Sequence, residues 1–130
     1  MKPLIIGTKS GHVDQLLWKM LNARTGATAD DYRSAFERRD LDSRERAKEI
    51  ADQIVLEVYG SERTILLLGD SVRQAFNLRP VLIHPVEMAK CTWRQIPYPS
   101  VHNAWYNEKA NVALVELLME DLYKGANQCV

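Results

Sequence analysis

The chain has 130 residues, 17 lysines and arginines against 17 aspartates and glutamates, and a formal net charge of zero. That length suits a single domain, residues 1–130, with a proper core. The balanced charge argues against a protein that coats nucleic acid through bulk basicity. No apolar run approaches the ~18 residues of a membrane span, and the apolar run in "MKPLIIG" is too short for a secretion signal.

The first element expected is a buried strand at residues 3–7, "PLIIG". "TKSGH" turns the chain, and Leu16, Leu17, Met20 and Leu21 recur at helical spacing. Thr28 is the expected N-cap of a short helix at about 29–37. A longer helix follows at 43–59: Asp42 and Glu45 have capping-box spacing, Ala47, Ile50, Ala51, Ile54, Val55 and Val58 form one stripe, and Gly60 lies just past the end. "RTILLLGD", 63–70, reads as a second buried strand and 71–76 as a short helix. "PVLIHP", 80–85, and "CTWRQIPYP", 91–99, are the third and fourth strands expected. Asn107 is the expected cap of a last helix whose Val112, Val115, Leu118, Met119 and Leu122 face inward.

Short apolar strands alternating with helices predict an α/β fold with a parallel sheet between helix layers. Ligands of open α/β sheets bind beyond the carboxyl ends of the strands. The informative residues are therefore "GTKSG" at 7–11, "GDS" at 69–71, "HP" at 84–85 and the loop after the last strand. Gly7, Thr8, Lys9, Ser10 and Gly11 either present backbone N–H groups to an anion or form a tight turn; the Walker A and dinucleotide patterns are absent. Gly69 either contacts a ligand or only turns the chain, with Asp70 as helix cap. Cys91 and Cys129 make neither a disulfide framework nor a zinc site, and His12, His84 and His102 lack ligand spacing, so no metal is expected. Two unpaired thiols fit a reducing cytoplasm.

The loop "IPYPSVHNAWYNEKAN", 96–111, is the most distinctive stretch. Pro97 and Pro99 stiffen it, Ser100, His102 and Asn103 offer hydrogen-bonding groups, and Trp105 and Tyr106 offer flat faces on which a base can stack. The competing reading is that Trp105 and Tyr106 plug the core.

This loop resembles the His-Pro-Ser loop of the uracil-DNA glycosylase superfamily, here written Tyr98-Pro99-Ser100-Val101-His102-Asn103. "TILLLGDSVRQAFNL" resembles the superfamily's strand–glycine–helix unit, and "PLIIGTKSG" lies where it has its first strand and water-activating loop. The resemblance implies a three-layer α/β/α domain with a central four-stranded parallel sheet and a pocket for an extruded pyrimidine. It implies no cofactor; the four cysteines of the iron–sulfur branch are missing. Carried onto this chain, Asp14 would orient water, Tyr98 or His102 would stabilise the departing base, and Ser100 and the backbone at Gly7 and Gly11 would hold phosphate, with Pro99 part of the same substrate-binding loop. Two departures stand out: Tyr98 occupies the histidine position, and the first loop has no Asp, Glu or Asn. A wedge insertion is also missing, which favours single-stranded DNA or a nucleotide over duplex. The alternatives are an inactive module that binds a nucleobase, nucleic acid or a DNA-mimicking protein, and an unrelated α/β protein whose loop is structural.

Overall fold

The computed structural model describes residues 3–8, 32–81, 84–98 and 103–128. They form a mixed α/β fold with one five-stranded sheet: β1 Leu4–Thr8, β2 Tyr32–Phe36, β3 Thr64–Leu68, β4 Val86–Met88 and β5 Cys91–Ile96, in the order β2-β1-β3-β5-β4. The β1–β2, β1–β3 and β3–β5 pairs are parallel, and β4 runs antiparallel to β5. The helices are α1 Arg38–Leu41, α2 Arg44–Val58, α3 Asp70–Ala75 and α4 Lys109–Gln128, with a 3₁₀ turn at Ala104–Asn107. Among the described residues no helix is long and apolar enough to cross a membrane.

The two-residue alternation of strand side chains divides the core. Leu4, Ile6, Ile65, Leu67 and Trp93 pack with Ala47, Ala51, Ile54 and Val58 of α2 and Val72 of α3. Ile5, Leu66, Leu68 and Ile96 face the other way, onto Val115, Leu118, Met119 and Leu122 of α4. β1 and β3 are thus apolar on both faces and read as unbroken apolar runs, as parallel strands covered on each side do. Trp93 anchors the first cluster; its ring lies 5.1 Å from that of Phe76, and its indole N–H donates to the Met88 carbonyl at 2.9 Å.

Several expectations are corrected. Among the described residues the sheet has five strands, not four, and is not wholly parallel. Residues 32–36, expected to be helical, are β2: the outer edge of β1 takes a ladder partner there, with Ile5 opposite Tyr32 and Gly7 opposite Ser34. The aromatic ends of "YRSAF" suit a pleated edge. Residues 80–85 form no strand among the described positions. Pro80 and Pro85 lack the N–H a ladder needs, and the chain instead folds back as a β4–β5 hairpin through Ala89 and Lys90, both at positive φ (54° and 57°). The last strand stops at Ile96 rather than 99. Ser43, not Asp42, caps α2, its hydroxyl accepting from the Arg46 N–H. Asn107 ends the 3₁₀ turn and caps no helix; the capping amide is Asn103. The helix expected around 13–21 lies outside the described residues.

Candidate functional site

Three strands end side by side at one edge of the sheet. β3 is flanked by β1 and β5, so the residues leaving all three meet there. They line a cleft of about 500 Å³ with Thr8 from the end of β1, Leu68 from the end of β3, Gly69 just after it, and Tyr98 just beyond β5. Asp70, Ser71 and Val72 of α3 and Arg38 and Leu41 of α1 complete the wall.

Gly69 sets the geometry. Its φ of 92° and ψ of 160° lie in a region that is essentially glycine-only. Its N–H still extends the ladder, donating to the Ile96 carbonyl at 2.9 Å, while the chain turns into α3. A Cβ there would lie 3.3 Å from both Cβ and Cδ2 of Tyr98. The absence of a side chain at Gly69 is what lets Tyr98 sit against the end of β3. Asp70 is the first residue of α3 and makes no side-chain cap. Its carboxylate accepts from Arg73 Nε at 2.8 Å and from Gln74 Nε2 at 2.9 Å.

The described residues that follow β5, 97–98 and 103–111, are tied to one another. Asn103 donates through Nδ2 to the Tyr98 carbonyl at 3.0 Å and accepts the Trp105 N–H at 3.1 Å. The Tyr106 hydroxyl donates to the Pro97 carbonyl. Asn111 donates to the Trp105 carbonyl at 2.8 Å. The Trp105 and Tyr106 rings meet edge to face at 5.0 Å. Tyr106 is buried, and burial pushes its phenol well above the ordinary tyrosine range.

Of the residues singled out from sequence, the cleft gathers Thr8, Gly69 and Tyr98. Gly7 lies in β1 one residue before Thr8. Asn103 braces the Tyr98 backbone rather than lining the cleft. Trp105 is half-buried against the cluster of Ile5, Leu66 and Met119 and is not among the cleft-lining residues, the arrangement of a core plug. Lys9, Ser10, Gly11, Asp14, Pro99, Ser100 and His102 lie outside the described residues. Arg38 and Leu41 were not anticipated. The rule that informative residues follow strands would have found this segment, had 32–36 been read as a strand.

The class defined is an open α/β sheet with a polar-rimmed cleft at the carboxyl edge of its parallel strands. Compared with family models, curated proteins and solved structures, the chain matches none of them.

Proposed function

We propose that this chain is a uracil-DNA glycosylase-like protein, acting on a pyrimidine base in DNA or a nucleotide by hydrolysis of the N-glycosidic bond. The observation that carries the reading is the meeting of Thr8, Gly69 and Tyr98 around one cleft of about 500 Å³, within the range of sites that hold small ligands. In this reading the base enters against Gly69 and Tyr98. Water attacks the anomeric carbon, the bond to the base nitrogen breaks, and the electron pair leaves with the base. The Tyr98 hydroxyl donates a hydrogen bond to the departing anion, with His102 as the further donor of the same loop. Asp14 orients the water and takes its proton. Ser100 and the backbone of Gly7 and Gly11 hold the flanking phosphate, with Lys9 and Ser10 in the same first loop and Pro99 stiffening the loop that carries Ser100.

The reading includes the superfamily's three-layer arrangement around four parallel strands, with β4 as an added antiparallel edge. It includes a cytoplasmic DNA-repair role, single-stranded DNA before duplex, and no cofactor. A second reading is a recognition module that kept the pocket and gave up the reaction. It is favoured by one feature: among the described residues lining the cleft, the one carboxylate, Asp70, is already engaged by Arg73 and Gln74.

The test is excision from a labelled single-stranded oligonucleotide carrying one uracil, cleaved with alkali, beside Asp14→Ala and Tyr98→Phe. Losing one donor to a developing anion typically costs ~10²–10³ in rate, so Tyr98→Phe should lower excision by about that factor. No excision together with saturable binding would establish the recognition module. Neither excision nor binding of oligonucleotide or nucleotide would refute both readings.

A further inference from the structure

The arginines around α1 and α2 divide into two kinds. Arg33 pairs with Glu57, Arg39 with Glu37, and Arg46 with Asp40 and Glu49. Arg38 and Arg44 are exposed and form no ion pair with any described residue. Arg44 is the first residue of the long helix α2, the end where the helix dipole disfavours a cation, and Arg38 opens the single turn of α1. Both also line clefts. Arg38 lines the one beside Tyr98. Arg44 lines a second of about 540 Å³ between α2 and α3, reaching Lys48, Asp52, Ser71, Arg73 and Asn77. The two clefts share Leu41 and Ser71 and so adjoin. The carboxylates along them are already engaged, Asp52 by Lys48 and Asp70 by Arg73. Among the described residues lining the combined groove, the uncompensated charge is therefore positive and comes from Arg38 and Arg44, on a chain whose net charge is zero.

We infer that this groove is a track for the phosphodiester backbone of single-stranded nucleic acid, so that the substrate is a polynucleotide rather than a free base or mononucleotide. The inference rests on the base-binding reading of the Tyr98 cleft and extends it. A base seated against Tyr98 places its own phosphate near Arg38, and the neighbouring phosphate passes over Leu41 and Ser71 to Arg44. Arginine suits this position because its planar fork matches phosphate oxygens. A mononucleotide fills the first cleft and leaves Arg44 without work.

The experiment is fluorescence anisotropy with a labelled uracil-containing oligonucleotide over a salt series, beside calorimetry with deoxyuridine monophosphate, for the full chain and Arg38→Ala, Arg44→Ala and Arg44→Lys. Arg44 is exposed at a helix start, so its variants should fold, as circular dichroism would verify. The full chain should bind the oligonucleotide more tightly than the mononucleotide. Each alanine should flatten the plot of log K against log salt by about 0.7, the release expected of one single-strand phosphate contact. Arg44→Lys should keep the slope, and Arg44→Ala should leave mononucleotide binding unchanged. Slopes unchanged in both alanine variants would overturn the track and leave the base cleft standing. Mononucleotide binding as tight as that of the oligonucleotide would do the same. If neither probe binds the full chain, the base-cleft reading fails and takes the track with it.

Discussion

The sharpest prediction concerns Gly69→Ala. Two separate costs act at this position. At φ 92° and ψ 160° the backbone lies where an L side chain is strained by ~1–3 kcal/mol. The new Cβ would also stand 3.3 Å from Cβ and Cδ2 of Tyr98, so that side chain must give by a few tenths of an ångström, while the Tyr98 Cα at 3.7 Å is in ordinary contact. Gly60→Ala is the internal control: its φ is 72°, but a Cβ there meets nothing within 4 Å. It carries the conformational cost alone, about 1 kcal/mol or slightly more. Gly69→Ala should therefore cost about 2–3 kcal/mol, and at roughly 4 °C per kcal/mol for a chain of this size the melting temperature should fall by about 10 °C. Thermal melts of both variants by circular dichroism give the comparison. Nucleotide binding well below the transition then reports whether the displaced Tyr98 ring has closed the cleft. A Gly69→Ala protein that melts no lower than Gly60→Ala would refute the claim that Tyr98 crowds the end of β3.

The remaining predictions concern the loop and the surface. Asn103→Ala removes both the brace on the Tyr98 carbonyl and the cap of the 3₁₀ turn; it should cost about 1–2 kcal/mol in chemical denaturation and weaken ligand binding although Tyr98 itself is intact. Trp105→Ala should lower stability by about 2 kcal/mol through lost apolar burial, and binding by the folded fraction should persist; a stable variant that no longer binds would restore the stacking role. Tyr106 has its phenol raised by burial, so the folded chain holds that proton where the unfolded chain releases it. Stability from this group is complete below about pH 10 and declines as pH rises further, and Tyr106→Phe should flatten the alkaline decline in a pH series of denaturant melts. The Arg33 hydrogen bond lowers the Glu57 carboxyl, so its contribution is present above the ordinary glutamate value of about 4.3 and is lost as pH falls below it. With both side chains about half exposed, the effect should stay under about 1 kcal/mol and vanish at high salt.

The readable strands were those whose environment leaves a local mark. β1 and β3 are covered on both faces, so "LII" and "ILLL" are apolar without interruption, and the stripe of α2 marks the side it packs against. β2 carries exposed Arg33 and Ser34 because it sits at the sheet edge. Its strand character comes mainly from the ladder of β1, a partner distant in sequence, and the aromatic ends of "YRSAF" are a weak local sign. β4 is three residues long and turns through Ala89-Lys90, without the Asn-Gly or Asp-Gly signal that marks a tight hairpin. The weak local signal of β2 also hides part of the site. Arg38 and Leu41 follow a strand by two and five positions, and the carboxyl-end rule would have nominated them had the strand been seen.

The loop after β5 shows why amide and aromatic residues in close sequence do not all translate into ligand contacts. The side chains of Asn103, Tyr106 and Asn111 bond the Trp105 backbone N–H and the carbonyls of Pro97, Tyr98 and Trp105. Those bonds tie the end of β5 to the start of α4, and Tyr98 is the residue they leave against the cleft. Held from one side by the Asn103 bond and packed from the other against Gly69, Tyr98 needs little further ordering when a ligand arrives. Preorganisation of that kind concentrates the binding or transition-state interaction on one side chain. A pocket built this way responds more strongly to small displacements of Gly69 or Asn103 than to loss of the exposed polar residues around it.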